Sequence, residues 1–248
     1  MSDQWLFLTV ASIAVIMLGF GKGGLVGFGT LATPVLALVV PPVTAAALLL
    51  PILIVQDVVS IWSFRHSWNR RIVAMMAPGA VIGVGLGWGF AASLPVGWLM
   101  AALGLISILF ALWRLWIERG NRVVAPSTSP DWLGVLFGAA TGFTSQIGHA
   151  GGPPFQFWVT PKQLPNAEYV GTGAVLFGII NWIKVPAYLA LGGLTAPTLR
   201  LSAMLMPLAI ASTFAGVWVV RRITGRIFYT IVYLLMILLG GKLVWEAF

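Results

Sequence analysis

The sequence predicts an all-α integral membrane protein made of two inverted-topology repeats, each a glycine-broken helical hairpin followed by three transmembrane helices. Three observations carry that prediction. Of 248 residues, 59% are hydrophobic and only 8% charged, with a mean hydropathy of +0.98, whereas a soluble domain needs about 25% charged residues to keep its surface hydrated. Runs such as VTAAALLLPILIV, starting at Val43, are apolar all round and lack the alternation of a membrane β-strand. Matched segments also recur in order along the chain.

The chain begins MSDQWLFL, with no basic leader and no small-residue cleavage site, so the first segment is expected to stay. Residues 4–40 are too long for one span and are broken by GFGKGGLVGFG. Spans of ~20 apolar residues follow at 43–64, 72–92 and 96–116. Residues 132–161 are broken by QIGHAGGPP, leaving an arm that rises only ~12 Å as a helix. Three more spans occupy 167–191, 199–220 and 227–245. The broken stretches read as re-entrant hairpins or pairs of short helices. Trp62, Trp68, Trp88, Trp98, Trp113, Trp116 and Trp245 fall near span ends, where indole rings anchor at headgroup level.

Residues 74–87 (AMMAPGAVIGVGLG) align with 203–216 (AMLMPLAIASTFAG) at an offset of 129, which also pairs Arg71 with Arg200 and Trp116 with Trp245. Upstream the offset falls to 124 and pairs Asp57 with Asn181. The ordered matches predict two homologous halves, 1–124 and 125–248. Basic residues set the expected orientation, because Lys and Arg are retained in cytoplasmic loops. With each broken stretch a hairpin, ten basic residues (65, 70, 71, 114, 119, 122, 162, 221, 222 and 226) lie inside and two (200 and 242) outside; single spans give eight and four. The hairpins win, the halves run in opposite directions, and both termini are expected on the periplasmic side.

Cysteine is absent, which excludes disulfides and thiolate chemistry. There is no HExxH, no GxSxG and no carboxylate cluster, and only two histidines, so neither an enzyme, a metal site nor a cofactor is expected. The basic residues are scattered in short loops, which argues against nucleic acid as a partner. The formal charge of +8 is first a topological signal.

Polar groups inside hydrocarbon cost roughly 2.5 to 3.5 kcal/mol for a charge at a helix centre, so each needs a reason. Lys22 stands at the first break, Asp57 in the following span, and Gln146 and His149 at the second break. Asn181 and Lys184, three apart, share one face of a later span. The glycine tips have two readings: close helix packing, or a turn whose new helix offers unpaired N–H groups and a positive dipole end to an anion. On the second reading Lys22, Gly23, Gly24, Gln146, His149, Gly151, Gly152, Asn181 and Lys184 line a net-positive solute site. Asp57 and His149 are candidates for coupling transport to a proton or cation. The plainer alternatives are a snorkelling Lys22 and mutual neutralisation of Asp57 and Lys184.

Across nearly its whole length the chain resembles the sulfite exporter TauE/SafE family, also called the 4-toluene sulfonate uptake permease family. The likeness lies in the Gly-rich broken first segment, GHAGGPP, the stretch LPNAEYVGTGAVLFGIINWIKVPAYLALGGL and the closing IFYTIVYLLMILLGGKLVW. Gly171, Thr172, Asn181, Lys184, Pro186 and Tyr188 resemble its recurring positions; GKGGLVGFG, with Lys22 inserted, departs from its usual consecutive glycines. The resemblance implies secondary transport of sulfite, thiosulfate or organosulfonates such as sulfoacetate across a bacterial inner membrane, with the bilayer and a small sulfur-containing anion as the partners. The residues alone give only the positive polar site. A cation- or proton-coupled permease using Asp57, or less favourably an intramembrane enzyme, is the alternative.

Overall fold

Backbone N–H and C=O groups find no water in hydrocarbon, so each apolar run satisfies its hydrogen bonds internally and becomes a helix. The computed structural model describes residues 2–24, 28–93, 95–119, 129–220, 226–245 and 247. Gly27, Arg122, Arg221, Arg222 and the middle of the loop joining the two expected halves lie outside the described residues.

Helix α1 (Ser2–Lys22) is followed by a 3-10 turn (Phe28–Leu31) and the short α2 (Ala32–Leu36). Then come α3 (Pro42–Ser63), α4 (Arg70–Ser93) and α5 (Val96–Arg119). The second series is α6 (Trp132–Gly148), α7 (Gly152–Val159), α8 (Asn166–Ala190), α9 (Ala196–Val220) and α10 (Arg226–Trp245). The six spans read from the sequence are α3, α4, α5, α8, α9 and α10. Among the described residues, α1, α3, α4, α5, α8 and α9 contain stretches long and apolar enough to cross a membrane.

One feature differs from the expected pair of short arms. The first arm, α1, is a full 21-residue helix, about 32 Å long, and only its return is short. No proline interrupts residues 2–22, and the glycines near its end are absorbed by contact with α9. A Cβ on Gly23 would lie 2.4 Å from the Gly216 carbonyl carbon, so the backbones touch there. Glycine packing recurs between α4 and α6, where Gly79 and Gly83 face Val135 and Ala139, while Gly138 and Gly142 face Met76 and Ala80. Small residues four apart allow such approach in a bilayer, where the hydrophobic effect does not drive helices together. A Cβ on Gly83 would meet the Ala139 carbonyl oxygen at 1.9 Å, while one on Gly85 meets nothing within 4 Å. Gly83→Ala is therefore expected to lower stability by about 1–3 kcal/mol. Gly85→Ala should hold or raise it; thermal denaturation of the two variants in detergent makes the comparison.

Interhelix hydrogen bonds fix the direction of the helices. Arg71, at the start of α4, pairs with Asp131, just before α6. Asn69, just before α4, donates through Nδ2 to Glu168 of the first turn of α8 at 2.8 Å. Helices α4, α6 and α8 thus begin on one face. The broken pair α6–α7 consequently returns to the side from which it set out, as the hairpin reading requires. On the opposite face, Ser202 Oγ of early α9 donates to Leu48 O of early α3 at 2.8 Å, and Gln56 Nε2 of α3 donates to Val15 O of α1 at 3.3 Å. Helices α1, α3 and α9 run together, against α4, α6 and α8. Outward-facing Leu109, Met204, Trp218 and Leu238 are exposed, as lipid contact demands. Trp62, Trp88, Trp98, Trp116 and Trp245 are exposed at helix ends in the expected manner, but Trp113 turns inward and stacks on Phe157 of α7, with centroids 3.7 Å apart.

Candidate functional site

The two breaks fall next to each other inside the helix bundle. In the first series, Ser60 Oγ of α3 donates to Lys22 O at 2.8 Å and Asp57, one turn earlier, accepts from Lys22 Nζ at 2.5 Å. In the second, α8 holds the tip from the corresponding positions. Lys184 Nζ donates to Ser145 O at 3.2 Å, Ser145 Oγ at 3.1 Å and His149 Nδ1 at 2.6 Å. Lys184 is 124 residues after Ser60, the offset that pairs Asp57 with Asn181. One lysine therefore sits on a tip and the other on the helix that grips a tip.

His149 caps α6 in the left-handed region, φ 56°, a conformation uncommon for a non-glycine residue. Two bonds hold it there. Its Nε2 lies 2.8 Å from Ala46 O, and a carbonyl only accepts, so Nε2 carries the proton and Nδ1 is the acceptor for Lys184. The Lys184 ammonium thus spends its three N–H groups on three neutral acceptors, while its side chain is fully buried. Asn181 Nδ2 donates to Asp57 Oδ2 at 2.5 Å, tying together α8 and α3, the two helices that hold the tips. The centre holds two lysines and one carboxylate.

A cavity of about 120 Å³ opens between the tips. One water needs roughly 10–15 Å³ on this scale, so the space suits a small polyatomic solute with a few waters. Of the residues named from the sequence as candidates, Lys22, Gly24, His149, Gly152 and Asn181 line it. Other anticipated residues stand back from it. Gly23 packs on α9, Gly151 on Thr141 and Phe177, and Gln146 on Gly87 of α4. Lys184 acts from behind Ser145 and His149, and Asp57 from behind Lys22 and Asn181. The anticipated neutralisation of Asp57 by Lys184 is replaced at contact distance by the Lys22–Asp57 pair, which also holds Lys22 partly buried in place of snorkelling.

The expected helix N-termini contribute less than the glycine runs suggested. Helix α2 has only five residues. In α7, Pro153 and Pro154 carry no N–H, and the Phe155 N–H bonds to Gly151 O at 3.4 Å, so this first turn offers a solute few donors. Side chains supply the polarity instead. Gln156, which sequence reasoning missed, lines the cavity, is 1% exposed, and leaves its Nε2 without a protein partner. Phe155, Tyr169 and Phe177 form aromatic walls, and Lys22 Nζ sits 5.1 Å from the Phe177 centroid. Among the described residues no group of three or more His, Cys, Asp or Glu stands together as a metal site.

The model of the family described as Sulfite exporter TauE/SafE matches residues 11–243, nearly the whole chain. No curated protein and no solved structure matches the chain.

Proposed function

This chain belongs to the sulfite exporter TauE/SafE family of membrane transport proteins, and from that premise we propose that it is a secondary transporter of small sulfur-containing anions, bound in the cavity between its two broken tips. Sulfite, thiosulfate and organosulfonates such as sulfoacetate are the candidates. The observation that carries this reading is the fully buried Lys184, whose Nζ meets only neutral acceptors, two of them on Ser145 and one on His149, which line the cavity together with Lys22. A buried cation in low dielectric is stabilised strongly by an anion nearby. Sulfonate and sulfite oxygens match the free Gln156 amide and the Lys22 ammonium as acceptors.

Alternating access of two inverted halves, 1–124 and 125–248, is part of the proposal. Pairing α1 with α6, α3 with α8, α4 with α9 and α5 with α10 exchanges the interhelix contacts among themselves. The α1–α9 contact becomes α6–α4, the α3–α9 contact becomes α8–α4, and α3–α8 and α5–α10 map onto themselves. The paired helices run in opposite directions, which supports an axis in the membrane plane. Asp57 and Asn181, equivalent in that pairing, touch each other, as equivalent residues do only beside such an axis. The family points to a bacterial inner membrane, and the distribution of basic loops supports both termini on the periplasmic side.

Thermal stabilisation of the purified protein by sulfite, thiosulfate, sulfoacetate, taurine, sulfate and chloride tests the reading. A ligand at about 100 Kd adds ~2.7 kcal/mol to the native state. One or more sulfur anions are expected to stabilise, and Lys22→Ala to remove the effect. Stabilisation by none of them would overturn the substrate class. Gln156→Met supplies a finer expectation. It deletes an amide with nothing to bond in the empty site, so the unliganded protein should melt no lower, while anion affinity falls about tenfold, the ~1.4 kcal/mol of a lost hydrogen bond to a charged group.

A further inference from the structure

Asp57 stands between two openings. Its Oδ1 and Oδ2 face Lys22 Nζ and Asn181 Nδ2, each at 2.5 Å, and those two residues line the cavity between the tips. Asp57 itself lines a different space, a cleft of about 520 Å³ between α3 and α8, with Ile54, Val58, Arg65, Trp68 and Trp182 among its walls. The carboxylate is therefore behind Lys22 as seen by a solute, and its residue borders the second space on the other side.

An anion arriving in the cavity competes with Asp57 for the same ammonium. With the anion on the Lys22 ammonium, the Asp57 carboxylate keeps only the Asn181 amide at contact distance, and a side chain 3% exposed finds little water to replace the cation it has lost. We propose that Asp57 is a proton-binding site that couples anion transport to proton transport. The proposal rests on the anion reading above. In the empty site the Lys22 ammonium pairs with the Asp57 carboxylate. In the loaded site the ammonium pairs with the anion, and one proton has formed an O–H bond on the Asp57 oxygen that Lys22 released. The lysine keeps all three of its protons, and for a monoanion the trio of solute, Lys22 and Asp57 is neutral in both states, so one proton crosses with one anion.

The surroundings select Asp57 for this role. Lys22 faces it from α1, Asn181 and Lys184 from α8, and Arg65 stands just past the end of α3. The charged residues of the other packed helices are remote in sequence position: α9 has only Arg200, near its start, α5 has Arg114, Glu118 and Arg119, near its end, and α2 and α6 have none. His149 is excluded as the proton site because both ring nitrogens are engaged, and a second proton on Nδ1 would set two cations 2.6 Å apart.

Two readouts with methanesulfonate and sulfoacetate test the proposal, because both stay fully ionised from about pH 6 to 8.5 and carry no titrating proton there. On purified protein, thermal stabilisation gives Kd against pH. Uptake of one proton per anion makes Kd rise about tenfold per pH unit wherever Asp57 is ionised in the empty site. In proteoliposomes enclosing a pH-sensitive dye, an inward anion gradient is expected to acidify the lumen. Asp57→Asn should bind the anion with a Kd independent of pH and move no protons, whereas Asp57→Glu should keep both signals. A flat Kd in the unmodified protein, or anion flux without lumen acidification, overturns the coupling even if no Asp57 variant folds. The same pH slope in Asp57→Asn moves the proton elsewhere and overturns it too. Failure of methanesulfonate, sulfoacetate, sulfite and thiosulfate alike to stabilise the protein overturns the anion reading itself, and the coupling with it.

Discussion

Lys184→Met is expected to lose anion binding by about two orders of magnitude while the unliganded protein stays folded. The ammonium is one side chain removed from the cavity; a unit charge ~6 Å from the solute, at an effective dielectric of about 20, contributes roughly 2–3 kcal/mol, or ~100-fold in Kd. Stability is a balance of opposing terms. Methionine leaves Ser145 and His149 without their donor, at about 1–3 kcal/mol for each buried group, but it also removes a fully buried cation whose desolvation costs several kcal/mol. The two nearly cancel, so the binding loss should stand apart from any change in melting. Equal anion-induced shifts in the variant and the parent would show that Lys184 merely braces the second tip.

The second large effect concerns Lys22 and Asp57. Removing one partner of a buried ion pair strands the other, at a cost of about 3–5 kcal/mol, so Asp57→Ala and Lys22→Met should each lower stability markedly. The double substitution strands no charge and should cost less than the two singles together, by a coupling of roughly 2–3 kcal/mol. A sulfur anion should rescue Asp57→Ala in particular, since the solute supplies the negative charge that Lys22 lacks. Additive singles, or no rescue, would mean that the contact seen at 2.5 Å contributes little.

How far the sequence carried these expectations differs between fold and site. Apolar run length located α3, α4, α5, α8, α9 and α10, because hydrocarbon thickness sets a minimum that loops do not meet, and the glycine breaks announced the tips. The reach of α1 was misjudged because glycine weakens a helix only slightly when a neighbouring helix packs on it, as Ser212 of α9 does on Gly19, and the neighbour is invisible in one dimension. Lys22, Asp57, Asn181, Lys184 and His149 stood out by the cost of burying them. Their partners did not. Helical spacing shows that Asn181 and Lys184 share a face, but which residue lies across from each depends on helix crossing and rotation. Asp57 therefore looked as available to Lys184 as to Lys22. Gln156, Ser60 and Ser145 went unnoticed for a different reason: uncharged polar side chains are common enough in membrane helices that none signals a site until its partners, or its lack of one, can be seen.

The touching side chains of Asp57 and Asn181 bear on how such a molecule arises. On the reading of two homologous halves, an ancestor assembled from two identical half-length chains would bring a residue against its own copy at this point: two carboxylates that repel, or two amides with no charge to hold a lysine. On that reading, once the coding sequence was duplicated the two positions could diverge, one to the acid and the other to the amide that bonds it. The same divergence would let one lysine settle on a tip and the other on a gripping helix. The central polar cluster is thus the part of the molecule where symmetry had to be given up, and separately expressed halves are irreplaceable there: no pair of first halves, or of second halves, reproduces it.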